Sequence, residues 1–123
     1  MITAYLVVNA VVYALLGAAS AIVPERIATA VGLTLDAQGR VEFLTVYAGL
    51  ELGLAAFYGW AATAGAAAQR TAVVFSLFLY AGLVLFRAGG MLRYGVPGTT
   101  MLVVAGLEVL LLAGALVLAL RAG

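Results

Sequence analysis

The sequence predicts an all-α integral membrane protein, a single transmembrane domain over residues 1–123 folded as a four-helix up-down bundle. Three observations predict it. Of 123 residues, 67% are hydrophobic and only 9% are charged, against roughly 45–50% and about 25% in a soluble domain. A soluble domain this small needs extensive polar surface, because little of a short chain is hidden by folding; with a mean hydropathy of +1.23 this chain cannot supply it. Finally, the apolar residues fall into four stretches, each reaching the roughly 20 residues that a membrane-spanning helix requires.

The first stretch runs from about 2 to 23 and stops before Pro24, which disfavours helix at its own position and the one before. It contains Ala19-Ser20-Ala21, a triplet of signal-cleavage type. With no basic residues ahead of it and an apolar run longer than a signal core, it reads as a retained span. Residues Pro24 to Asp36 form the one long connection, a loop. The second span runs from about 37 to 64, with Asp36 as N-cap and Gly65 beyond its end. The third covers about 70 to 93. The turn Tyr94-Gly95-Val96-Pro97-Gly98 follows, and Thr99 or Thr100 caps the fourth span, about 99 to 120. Short connections make consecutive spans antiparallel neighbours. The first and last residues and the second-to-third connection share one face of the membrane, side A. Arg26, Arg40 and Arg93 lie toward the other, side B, and Arg70 and Arg121 toward side A, so the positive-inside rule leans only weakly toward a cytoplasmic side B.

The residues that are missing restrict the chemistry. There is no Cys, no His and no Lys. That removes thiol chemistry and disulfides, the commonest metal ligand and the usual general base. No metal site, no cofactor and no Ser-His-Asp system is expected. The net charge of +1 and the absence of a basic cluster argue against nucleic acid. Catalysis or binding is left to Glu, Arg, Tyr, Asn, Ser and the backbone.

In hydrocarbon a polar side chain is informative because it is expensive, about 2.5–3.5 kcal/mol for a charge at a helix centre on insertion scales. At about 100° per residue, Arg40, Tyr47, Glu51 and Tyr58 share a narrow arc of the second helix. The opposite arc carries Thr45, Gly49 and Gly53, a small-residue spacing expected at a close contact inside the bundle. Ser76, Tyr80, Arg87 and Tyr94 share a face of the third helix, and Tyr5, Asn9, Tyr13 and Ser20 a face of the first. Glu108 is the one deep polar residue of the fourth. At about 1.5 Å per residue, Glu51 lies about 15 Å, Glu108 about 12 Å and Arg87 about 9 Å from side B. The spacing therefore predicts a Glu51–Arg87–Glu108 constellation with Tyr47 and Tyr80 beside it. The bland alternatives are a structural ion pair for the acids, snorkelling to the headgroups for Arg87, packing for the tyrosines, and interface anchoring for Arg70, Arg93, Arg121 and Trp60.

Two stretches carry a family resemblance. Glu42-Phe-Leu-Thr-Val-Tyr47-Ala-Gly49-Leu-Glu51-Leu-Gly53 resembles the second-helix signature of small bacterial four-helix membrane proteins of the DoxX-like superfamily, in a domain-of-unknown-function group of about this length. Phe86-Arg87-Ala-Gly-Gly90-Met-Leu-Arg93-Tyr-Gly95-Val-Pro97, followed by Glu108, is similar to the same group. Where that pattern often has Gly-Gly after the tyrosine, this chain has Ala48-Gly49. The resemblance implies the four-helix fold and a bacterial inner membrane, and brings no settled activity. More distant proteins of like architecture bind or isomerise sterol-like lipids in an acid-lined pocket, an analogy of fold alone.

The leading expectation is a protein that binds a membrane lipid or small lipophilic ligand in an intramembrane pocket opening toward side B, through Glu51, Glu108, Arg87, Tyr47 and Tyr80. One rival is a membrane-embedded isomerase or other acid/base enzyme using a neutral carboxylic acid. Another is a structural or accessory subunit whose charges fix helix register. A homo-oligomer or a partner membrane protein fits the same sequence.

Overall fold

The structure, a computed structural model, describes residues 1–123 and contains five helices and no strands. These are α1 (Ile2–Ile22), α2 (Pro24–Ala30), α3 (Ala37–Thr63), α4 (Ala66–Tyr94) and α5 (Thr99–Ala122). All but α2 are long and apolar enough to cross a membrane.

Each boundary has a local cause. Helix α1 stops at Ile22 because Pro24 follows. That proline then occupies the first turn of α2, where its missing N–H and fixed φ cost nothing. The connection read as a loop thus contains a seven-residue helix. Asp36 caps α3 as expected, its Oδ1 accepting the Gly39 N–H at 2.7 Å. Gly65, with φ of 97°, permits the reversal into α4, which begins at Ala66 rather than near residue 70. Gly95, with φ of 104°, ends it. At α5 the threonine cap fails: Gly98 holds the capping position and no side chain caps the helix. Pro97-Gly98 brings the chain round early, so Thr99 and Thr100 already lie inside the first turn.

Helix α3 is not uniform. Residues Leu44–Leu50 form a π-helical stretch between α-helical flanks Ala37–Phe43 and Glu51–Thr63. Bonding from i to i+5 widens each turn by about one residue, so the two flanks are out of phase with a regular helix. Phe43 and Ala48, five apart, are both buried. The common arc of Arg40 with Tyr47, Glu51 and Tyr58 is therefore a misreading: Arg40 leaves the core side and pairs at the surface with Glu25 of α2, Nε to Oε1 at 2.5 Å.

Helix α1 packs along α3 from the π stretch onward, and α4 packs on α5; contacts between these two pairs are sparser. Long side chains fill the space between the pairs. Only 19 of 123 residues are buried, and seven of them carry polar groups: Asn9, Tyr13, Ser20, Tyr58, Ser76, Tyr80 and Glu108. Large apolar residues such as Phe78, Phe86, Leu92 and Leu110 point outward. The polar side chains of the spans are thus gathered in the interior while large apolar ones face outward, the distribution that a hydrocarbon solvent favours.

Hydrogen bonds join the pairs. Tyr80 Oη donates to Asn9 Oδ1, and Asn9 Nδ2 donates to the Tyr5 carbonyl at 2.8 Å. Tyr58 and Ser76 hydroxyls meet at 2.7 Å, with Ser76 donating onward to the Ala72 carbonyl at 2.8 Å. Tyr5 Oη donates to the Leu111 carbonyl of α5 at 2.8 Å, its ring lying against Gly114. The Tyr13 and Tyr58 rings stack with centroids 5.9 Å apart.

Close backbone approach occurs at a different glycine from the pair the spacing predicted. Gly49 and Gly53 are exposed, and a Cβ on Gly53 would meet nothing within 4 Å. These glycines lie on the outward-facing side of α3, opposite Glu51 and the buried Tyr58. A Cβ on Gly17 of α1, in contrast, would come within 2.8 Å of Leu52 Cγ and 3.1 Å of the Leu52 backbone nitrogen. Gly17→Ala is expected to lower thermal stability in detergent by about 1–3 kcal/mol, the usual cost of overpacking. Gly53→Ala should be neutral or stabilising by up to about 1 kcal/mol through helix propensity. Parallel melting curves of the two variants check both.

Candidate functional site: the intramembrane charge cluster

Three ionisable groups far from either helix end must be accommodated in the bundle. Arg87 lies two turns before the end of α4, and Glu108 two and a half turns into α5. Antiparallel packing of these helices sets them opposite one another, and they form a bidentate pair. Arg87 Nε donates to Glu108 Oε2 at 2.7 Å and Arg87 Nη2 to Glu108 Oε1 at 2.6 Å. The Glu108 side chain is 10% exposed and that of Arg87 22%. The parallel fork is the strong geometry for a guanidinium and a carboxylate. It settles the two readings of Arg87 in favour of pairing over snorkelling.

Glu51 begins the second α-helical part of α3, immediately after the π stretch. It lies within coulombic reach of Glu108 and of Tyr13. Its Oε2 is buried and has no hydrogen-bond partner, the one such side-chain oxygen or nitrogen in the protein. Three donors of the interior bond to other groups: Arg87 Nε and Nη2 to Glu108, Tyr80 to Asn9 and Tyr58 at Ser76. The guanidinium of Arg87 is paired with Glu108 and makes no hydrogen bond to Glu51.

Tyr47 is half-buried in the π stretch, its ring stacked on Phe43 at 4.5 Å, and it lies in the neighbourhood of Arg87. Tyr80 is fully buried, and its hydroxyl is bonded to Asn9 rather than turned to an acid. The structure thus brings together Glu51, Arg87, Glu108 and Tyr47, and joins Tyr80 to the hydroxyl network next to them. Tyr13 was missed as a member of this neighbourhood, although its position four residues after Asn9 on the polar face of α1 was a usable signal.

Two surface grooves lie elsewhere. One, of about 470 Å³, follows the outer face of α4 along Leu85, Phe86, Gly89, Gly90, Arg93 and Tyr94. The other, of about 360 Å³, lies on side A. Neither is lined by the acids, so the expected pocket lined by Glu and Arg does not coincide with either groove. The site is a tight polar cluster with one unused acceptor. No group of His, Cys, Asp or Glu residues is arranged to hold a metal ion.

No family model matches the chain, and neither a curated protein nor a solved structure matches it.

A buried pair broken on one side leaves an uncompensated charge, whereas replacing both partners by apolar groups is often neutral or better. Arg87→Met is expected to destabilise the protein by about 3–5 kcal/mol, and Arg87→Met with Glu108→Leu to recover most of that. Thermal unfolding of the single and double variants measures the difference. Equal loss in both would mean that the pair's shape, not its charge, matters.

Proposed function

We propose that this chain is an integral membrane protein that holds a membrane lipid or small lipophilic ligand at the intramembrane cluster of Glu51, Glu108, Arg87, Tyr47 and Tyr80. The observation that carries the reading is the buried, partnerless Oε2 of Glu51. Leaving a buried acceptor unsatisfied costs about 1–3 kcal/mol, and no group of the protein donates to this one. A ligand offering a hydroxyl or amine donor would complete the set. In this division of labour the Arg87–Glu108 pair is a fixed clip between α4 and α5, Glu51 takes the ligand's donor, and Tyr47 and Tyr80 wall the site.

The four-helix architecture and the stretches 42–53 and 86–97 support a further part of the proposal, membership of the DoxX-like superfamily in a bacterial inner membrane. One observation favours a second reading, a structural or accessory membrane subunit: Arg87 and Glu108 form a bidentate pair that needs no ligand to explain it.

The two readings part at Glu51. Native mass spectrometry of protein extracted with its lipids should show a co-purifying lipophile on the wild type and a several-fold loss of it on Glu51→Gln. Glu51→Leu should also lose it, and should gain about 1–3 kcal/mol of thermal stability as the unsatisfied acceptor disappears. Full retention of the lipophile by both variants would rule out ligand binding here and leave the structural reading.

A further inference from the structure

We propose that the groove on side A is a binding site for the headgroup phosphate of one anionic phospholipid, held by Arg121 with Thr3. It is separate from the intramembrane cluster and does not depend on the reading of that cluster.

The chain segregates its charge. Glu25, Asp36 and Glu42 lie toward side B among Arg26, Arg40 and Arg93, and Glu51 and Glu108 lie within the bundle with Arg87. Side A carries Arg70 and Arg121 and no acid. Along α5 the nearest acidic side chain to Arg121 is Glu108, thirteen residues and so about 20 Å away, beyond the Debye length of about 8–10 Å at ordinary salt. Arg121 is therefore a cation with no ion pair to an acidic side chain.

The groove gives that cation a shaped setting. It occupies about 360 Å³ between the start of α1, the start of α4 and the end of α5, lined by Ile2, Thr3, Gln69, Leu118 and Arg121 with Met1 and Ala122 at its margin. At about 30 Å³ per water this is room for a phosphate and part of its glycerol. Arg121 Nη1 has only the Met1 sulfur, 3.8 Å away, and a thioether is a weak acceptor. The rest of the five-donor fork is free for a phosphate, the planar bidentate partner it suits best. Thr3 Oγ1 accepts from Gln69 Nε2 at 3.0 Å, while Gln69 also donates to the Ala62 carbonyl at 2.9 Å. That arrangement positions the hydroxyl and leaves its proton to donate. Ile2 and Leu118 supply an apolar wall below, along which an acyl chain continues into the bilayer. Basic pockets between membrane helices at headgroup depth recognise anionic lipids in this way. No acidic side chain lines the groove, so the charge of Arg121 gives a preference for anionic over zwitterionic lipid.

The test uses the full chain in detergent, titrated with phosphatidylglycerol or phosphatidylcholine and read by native mass spectrometry. The expected result is one retained phosphatidylglycerol per chain, with phosphatidylcholine held several-fold less. Arg121→Gln should reduce retention roughly tenfold, as loss of a bidentate charge-assisted contact implies, and Thr3→Val less. Arg70→Gln, an equal charge change at the same end but outside the groove, should retain the lipid. Arg121 is exposed, and an unchanged melting temperature of its variant confirms that the fold is intact. Equal loss in Arg70→Gln would overturn the proposal in favour of diffuse attraction to a cationic rim. Equal retention of phosphatidylcholine would overturn it as well, and displacement of the lipid by inorganic phosphate at millimolar concentration would assign the groove to a free anion.

Discussion

With hydrocarbon outside, a polar side chain has nowhere to turn but inward, and must find its partner there. That constraint organises this protein. The hydrophobic effect, which normally gathers apolar groups into a core, gives no reason for Leu92 or Phe86 to leave the lipid. What joins the α1–α3 pair to the α4–α5 pair is therefore directional: Tyr80 to Asn9, Tyr58 to Ser76, Tyr5 to the Leu111 carbonyl. Interhelical hydrogen bonds in membranes average only about 0.6 kcal/mol each, so they give the arrangement its specificity more than its strength. Packing around Gly17 and the stacked rings of Tyr13 and Tyr58 accounts for closeness where closeness occurs.

The charged groups follow the same logic with higher stakes. A carboxylate at the depth of Glu108 is tolerable because Arg87 meets it with two parallel hydrogen bonds. Glu51 receives no such treatment, although it stands close enough to Glu108 to interact with its charge. A fold that satisfies nearly every buried polar atom and leaves one carboxylate oxygen bare treats that oxygen differently from the rest. The contrast between the two acids, more than the presence of either, separates a paired clip at Glu108 from a partnerless acceptor at Glu51.

Much of this was legible in the sequence because helical periodicity and depth are simple arithmetic. The four spans, the Asp36 cap, and the meeting of Arg87 with Glu108 all follow from apolar length, residue type and a rise of about 1.5 Å. The arithmetic broke down where its premise did. It assumed one period for the whole of α3, and the π stretch at Leu44–Leu50 changed that period. Arg40 consequently moved off the core side to Glu25, whereas Gly49 and Gly53 face lipid simply because they lie opposite Glu51 and the buried Tyr58. Nothing in the composition of that stretch announces the wider turn. The threonine cap failed for a subtler reason, a one-residue shift in where α5 begins, and α2 went unseen because Pro24 reads as a stop as readily as a start. Tyr80 was correctly placed in the interior, but angle and depth do not choose between an acid and an amide as the partner of its hydroxyl.

The π stretch also frees the two ends of α3 from each other. In a regular helix, the direction of any one side chain dictates all the others, so Arg40 could not seek Glu25 on the surface without rotating Glu51 out of the bundle. One wide turn works as a phase shifter. The end toward α2 is tuned to the aqueous boundary, the end from Glu51 onward to the interior, and neither setting compromises the other. A single helix thereby serves two solvents.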